Sequence, residues 1–253
     1  MTGSDKRNMY NEMAADSDPL AAPKRVLAVG AHPDDIEFGA GGTIARWANG
    51  GAAITMLIVT DGSKGTWDPD MDPSDLIVTR AAEQQAAAAV LGSTDVIHLN
   101  HVDGELEYTM ELRKVLCEHI RRVRPEVVIS HDPWRRYQLH PDHRATGWAV
   151  MDGVIAARDP LFYPEQRLEA HRPLAVLLWS ADEPDHYEDI QGEFDTKVTA
   201  LLCHSSQGTT TMGGAEQAED KREAFIDRLR QWAADQGRAA GLDAAESFKR
   251  ITP

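Results

Sequence analysis

Cysteine, positive charge and long apolar runs are all scarce in this chain, and each scarcity removes a class of answer. Cysteine occurs twice, at Cys117 and Cys203, on separate predicted helices and without CxxC spacing. Neither a disulfide framework nor a thiolate zinc site is therefore indicated, and reduced thiols fit a cytoplasmic setting. No stretch approaches the ~18 apolar residues of a membrane helix, and the amino terminus has no apolar run of signal-peptide length. Membrane insertion is not expected. Lysine and arginine number 26 against 41 aspartates and glutamates, a formal net charge of −15. Such a surface repels polyanions, so nucleic acid and anionic membranes are not expected partners.

What remains is a chain of 253 residues with 42% hydrophobic content, long enough for a substantial core. Residues 1–23 are polar and without period and read as a flexible leader, with 24–253 as one α/β domain. Short β-branched runs at 25–30, 53–60, 96–99, 127–130 and 174–179 read as strands. Helices are predicted over 38–47, 75–91, 111–124, 141–157, 194–203 and 215–234, followed by a helical or frayed carboxyl-terminal arm. Strands alternating with helices predict βαβ units, a mostly parallel sheet and a Rossmann-like three-layer sandwich. With strand order 3-2-1-4-5, strands one and four meet at the switch point, where ligands bind outside the carboxyl ends of strands.

Both of those strands lead into histidine and carboxylate motifs. The first leads into Gly30-Ala-His-Pro-Asp-Asp-Ile-Glu37, the fourth toward His140-Pro-Asp-His143. Two adjacent carboxylates at a buried strand end are costly unless something cationic pairs with them. Read alone, the first motif could simply cap a strand and open a helix; two such motifs facing one crevice argue for half a metal site each. Histidine and aspartate donors without thiolates suit zinc, and three protein donors with one open position mark a hydrolytic site. Iron(II) shares the same ligand types. Asp34 and Asp35 must project in different directions, so one can hold metal while the other serves as general base. His140 and His143 divide similarly between ligation and stabilising an oxyanion or protonating a leaving amine.

These motifs resemble the PIG-L/LmbE family of zinc-dependent N-deacetylases. The likeness extends to Thr60-Asp-Gly62, Arg80 with Glu83, Asp103-Gly104 and the late Lys197…His204-Ser-Ser-Gln207, over most of residues 25–207. The resemblance implies His32, Asp35 and His143 as zinc ligands and Asp34 as general base. It further implies His140 as stabiliser of the tetrahedral intermediate, Asp142 as an outer partner, and Arg80 and Asp103 as holders of sugar hydroxyls. His204 matches too, although a helical histidine reads first as a packed or surface residue. The implied substrate is a small N-acylated amino sugar or glycoconjugate, with a homo-oligomer left open. Two loops depart from the family pattern: Lys64 stands where an acidic residue is usual, and Tyr137-Gln138-Leu139 precedes the second motif. Both border the substrate space.

Two other function classes compete. Gly39, Gly41 and Gly42 could serve a nucleotide-dependent oxidoreductase, but their spacing is not GxGxxG and they follow the acidic loop rather than the strand exit; close helix packing explains them as well. A non-catalytic metal- or sugar-binding module has no need of a spare carboxylate beside a ligand. Trp67, Trp134 and Tyr137 flank the motifs and could stack on a sugar ring or simply anchor loops.

Overall fold

The computed structural model describes Leu20 and residues 22–93 and 95–253; most of the leader read at 1–23 lies outside the described residues. The elements in order are β1 (Arg25–Gly30), α1 (Asp35–Asn49), β2 (Ala53–Thr60), α2 (Pro73–Val90), β3 (Asp95–His101), α3 (Met110–Val123), β4 (Val127–His131), α4 (Pro141–Arg158), β5 (Ala175–Trp179), β6 (His186–Asp189), α5 (Phe194–Leu202), α6 (Glu219–Gly237) and β7 (Ala245–Ile251). Among the described residues no helix is long and apolar enough to cross a membrane.

The apolar strand runs are explained by burial on both faces. Val26 and Ala28 of β1 join Met56, Ile58, Ile129 and Leu177 under α1, α2 and α5. The alternate residues Leu27 and Val29 join Leu57, Val59, Val128 and Leu178 under α3 and α4. The result is three layers around one sheet, ordered β3-β2-β1-β4-β5-β7-β6. The first five strands are parallel and follow the order 3-2-1-4-5. Strands β1 and β4 are neighbours whose onward connections leave in opposite directions, which opens a crevice at their carboxyl ends.

The carboxyl-terminal segment corrects the sequence reading. It is not a helical or frayed arm: residues 245–251 form β7, which lies antiparallel between β5 and β6, and α6 begins at Glu219 rather than 215. Glu246, Lys249 and Arg250 hid the strand from a search for apolar runs. Glu246 is nonetheless only 1% exposed, because it has work inside.

That work is a break in α1. Ala40 departs from helical geometry (φ −148°, ψ 16°), which frees backbone groups that burial requires to be paired. Lys197 Nζ donates to Phe38 O at 2.8 Å, while Glu246 accepts from Gly42 N at 3.0 Å and Thr43 N at 2.8 Å. Lys197 and Glu246 pair with each other, both nearly inaccessible. The glycines here serve close packing: a Cβ at Gly39 would sit 2.5 Å from the Trp179 ring, and one at Gly42 2.6 Å from Ile190. Removing one partner of a buried ion pair strands the other charge. Lys197→Met is therefore expected to lower the urea unfolding free energy by ~3 kcal/mol, with Lys197→Met/Glu246→Gln recovering part of the loss; an unchanged midpoint in the single variant would contradict the brace.

Candidate metal centre and active site

The chain turns sharply between β1 and α1. Asp34 caps the helix in a left-handed conformation (φ 98°, ψ −23°), a state that costs a non-glycine residue about 1–3 kcal/mol and persists only when its surroundings enforce it. Its N–H donates to Gln84 Oε1 at 3.1 Å, and Gln84 Nε2 is fixed in turn by Glu37 Oε1 at 2.7 Å. The turn sends the two aspartates apart. Asp35 faces the histidines, whereas Asp34 Oδ2 lies 3.7 Å from the Arg80 guanidinium and has no hydrogen-bond partner among the described residues.

Two imidazole nitrogens and the two oxygens of one carboxylate converge there. His32 Nδ1 lies 3.2 Å from Asp35 Oδ2, His143 Nε2 lies 3.2 Å from Asp35 Oδ1, and the two nitrogens are 3.2 Å apart. A tetrahedral zinc with bonds of ~2.0–2.1 Å sets its donors roughly 3.3 Å apart, so the spacing fits such an ion. On its far side the His32 ring meets two carboxylates, Asp142 Oδ2 at 3.1 Å and Asp103 Oδ1 at 3.2 Å. A ring held this way donates Nε2–H outward and presents Nδ1 to a metal. Asp142 is itself held by Gly104 N at 2.7 Å and Leu106 N at 3.3 Å.

Among the described residues three other groupings lie close enough to hold an ion: His140 with His32 and His143, His140 with His32, Asp103 and Asp142, and Asp35 with His131 and His143. His131, one residue past the predicted strand 127–130 and not singled out as a site residue, is buried against Asp35 and stacks on His143 with ring centroids 4.2 Å apart. Its Nδ1 faces the indole Nε1–H of Trp179 at 3.1 Å. Indole can only donate, so the His131 proton resides on Nε2, aimed at Asp35 Oδ2 3.2 Å away. The Ala31 amide also approaches Nε2 at 3.2 Å, but the carboxylate on one side and the indole on the other decide the tautomer. A ring so engaged orients Asp35 and has no lone pair left for a metal.

The charges follow from these contacts. Burial opposes a charged His32, but hydrogen bonds to Asp103, Asp142 and Asp35 outweigh it and push its pKa up to about 12. Burial pulls His131 down to about 4 despite Asp35. Asp35 is held well below the usual carboxylate range, its burial overcome by His143 and His131. Asp34 is raised to about 6, chiefly by burial, with Asp35 adding to the rise and Arg80 opposing it. His140 is lowered by burial and by His32 and His143. Its Nδ1 accepts from Asp142 N at 3.3 Å at the start of α4, so the neutral ring carries its proton on Nε2.

A cavity of about 440 Å³ opens over this centre, lined by His32, Asp34, Asp35, His140 and His143 and, outward, by Lys64, Trp67, Arg80, Asp103 and Gln207. Arg80 is buried, bonded to Pro33 O at 2.6 Å and Gly62 O at 3.0 Å. Asp103 uses one oxygen on His32 and the other on Lys64 N at 3.1 Å. Much of the bonding capacity of both is thus spent on positioning the centre. Lys64 pairs with Glu105 at 2.7 Å. Glu83 ties down Ser205 and Ser206, and Gln207 Nε2 reaches Gly65 O at 2.9 Å, which closes one wall. Of the three flanking aromatics only Trp67 lines the cavity; Trp134 packs edge-on against Trp148. His204 is fully buried, 3.7 Å from Glu37, and lines neither this cavity nor the neighbouring one.

Known proteins resemble this chain in sequence and in fold. The description "GlcNAc-PI de-N-acetylase" of the PIG-L family matches residues 27–154. The chain is 33% identical to the diacetylchitobiose deacetylase of Thermococcus kodakarensis over 93% of its own length and 86% of that protein. It is 29% identical to the 1D-myo-inositol 2-acetamido-2-deoxy-alpha-D-glucopyranoside deacetylase of Rhodococcus erythropolis, over 78% and 86% respectively. Among solved structures, the N,N'-diacetylchitobiose deacetylase of Pyrococcus horikoshii superposes with a TM-score of 0.87 at 28% identity, covering 100% of this chain and 94% of that one.

In metal-free protein, long-range 1H–15N spectra of the imidazoles are expected to show His131 as the Nε2–H tautomer, neutral until the pH falls near 4, and His32 doubly protonated at neutral pH. An Nδ1–H tautomer at His131, or a neutral His32 at pH 7, would overturn the hydrogen-bond assignments.

Proposed function

Because the chain belongs to the PIG-L family, we propose that it removes the N-acetyl, or another N-acyl, group from an amino sugar or glycoconjugate, with zinc held by His32, Asp35 and His143. The observation that carries this reading is the cluster of His32 Nδ1, His143 Nε2 and the Asp35 carboxylate, whose two oxygens each lie 3.2 Å from one of those nitrogens, with a second buried carboxylate, Asp34, beside it that has an oxygen without a hydrogen-bond partner among the described residues. A site built only to store a metal or bind a sugar gains nothing from burying that extra charge. When bound, the ion supplies Lewis acidity and makes water a nucleophile near neutral pH; iron(II) shares these ligands.

The protein's own groups do the rest. Asp34, with a pKa near 6, is mostly ionised at pH 7 and takes a proton from the attacking water. The same carboxyl, once protonated, gives the proton to the departing amine. His140, kept neutral by its surroundings, donates Nε2–H to the carbonyl oxygen as it gains negative charge. The neutral ring makes Asp34 rather than His140 the acid for the amine. Asp142 and Asp103 keep His32 turned toward the ion, and His131 does the same for Asp35. Arg80 and Asp103 line the wall where sugar hydroxyls would rest, and each also supports the centre. Substituting either is thus expected to depress kcat as well as raise KM.

Stripping the metal should abolish amine release from N-acetylglucosamine-type substrates and zinc should restore it. Asp34→Ala is expected to cut kcat by about 10²–10⁴-fold with metal content unchanged, whereas His32→Ala should lose the metal. Log kcat/KM should rise with pH and bend toward its plateau at or below about pH 6, because ionised Asp34 is the active form and a bound cation can only lower its pKa. Turnover surviving in Asp34→Ala would remove the general-base role.

A further inference from the structure

Asp34, Asp35 and His143 also border a second cavity. It measures about 190 Å³ and approaches from the Trp179 side, between the first turn of α1, the end of β5 and α6. Its walls are aromatic: Phe38, Trp179 and Trp232, with Gly39 in the gap. Trp179 is locked by its bond to His131, and a side chain at position 39 would collide with its ring. Trp232 is held under the Lys197 ammonium, 5.3 Å from the ring centroid. Away from the centre its polar lining comes from Gln138, Ser180, Thr211 and Arg135, of which Arg135 alone carries a charge. The Arg135 guanidinium is exposed and makes no hydrogen bond or ion pair among the described residues.

Amide hydrolysis has two halves with different needs. Water adds to the carbonyl carbon, the C–N bond breaks, and R–CO–NH–R′ becomes R–COO⁻ and R′–NH3⁺. The sugar half requires polar walls, and the larger cavity has them in Arg80, Asp103 and Lys64. The acyl half requires an apolar place for R while it is bound and a cation for the carboxylate once it is free. The second cavity combines aromatic walls with one uncommitted guanidinium, and it meets the first at the reacting carboxylate.

We propose that this second cavity holds the acyl group of the substrate and that Arg135 receives the carboxylate product as it leaves. The assignment rests on the hydrolase reading above and adds the acyl class. At on the order of 30 Å³ for each water-sized group, the space accommodates about six heavy atoms. Short aliphatic acyl groups from acetyl to butyryl fit within it.

Tryptophan fluorescence reads this directly, since Trp179 and Trp232 form the wall. Sodium acetate, propionate and butyrate are titrated into metal-free and zinc-loaded protein, with Trp232→Phe identifying the reporting ring. Affinity is expected to rise several-fold from acetate to butyrate in both forms. Arg135→Gln should weaken all three by about 5–10-fold, and Trp232→Ala should flatten the dependence on chain length. In steady-state assays Arg135→Gln should relieve inhibition by added acetate by a similar factor. Affinities indifferent to chain length and to Arg135 would overturn the proposal; accompanied by normal amine release, that result leaves the deacetylase reading standing. Carboxylate binding without amine release from any N-acyl sugar would instead overturn the hydrolase reading and the acyl assignment with it.

Discussion

The Asp35 carboxylate is the point at which the molecule's constraints meet. One oxygen accepts from the His32 amide at 2.7 Å and lies 3.2 Å from both His32 Nδ1 and His131 Nε2; the other lies 3.2 Å from His143 Nε2. These groups come from three places in the chain: the loop after β1, the end of β4 and the first turn of α4. Only a parallel sheet with β1 beside β4 brings them together, and burying so many polar atoms is tolerable only because each has a partner. A cation among them offsets the desolvation of the carboxylates that surround it.

Holding that geometry requires support from distant sequence. Asp34 occupies a left-handed conformation because Gln84 of α2 fixes its amide, and the first turn of α1 is separated from the rest of the helix by the break at Ala40. Lys197 of α5 and Glu246 of β7 satisfy the backbone groups exposed by that break. The carboxyl-terminal strand, more than 200 residues away in sequence, thereby bears on the turn that carries the chemistry. Strain at the site and buried charge behind it are two parts of one arrangement.

Much of this was legible in the sequence where the signal is local. Continuous apolar runs marked β1, β2, β4 and β5, since two-sided burial leaves little room for polar residues, a short Val96–Leu99 run marked the half-buried edge strand β3, and motifs at the ends of the first and fourth strands pointed to the switch-point crevice. What escaped depends on contacts between remote segments. Strands β6 and β7 carry His186, Glu188, Glu246 and Lys249, so no apolar run announces them; their charges are paired or buried only in the assembled fold. His131 lies in neither histidine motif, and only the contacts with Trp179 and Asp35 in the assembled fold mark it as part of the site. Arg80 and Asp103 were legible as site residues, but their commitments to Pro33, Gly62, His32 and Lys64 were not, because spacing alone cannot say which oxygen a guanidinium or carboxylate will meet.

The central claim is that three particular atoms, His32 Nδ1, an Asp35 oxygen and His143 Nε2, form the metal centre while His131 stands outside it as a support. Anomalous diffraction at the zinc edge from zinc-loaded crystals tests this most directly. The account predicts one strong peak within about 2.0–2.2 Å of those three atoms, with His131 Nε2 bonded to Asp35 and not to the metal. A peak coordinated by His131, or one on the opposite face of His32 between Asp103 and Asp142, would contradict it.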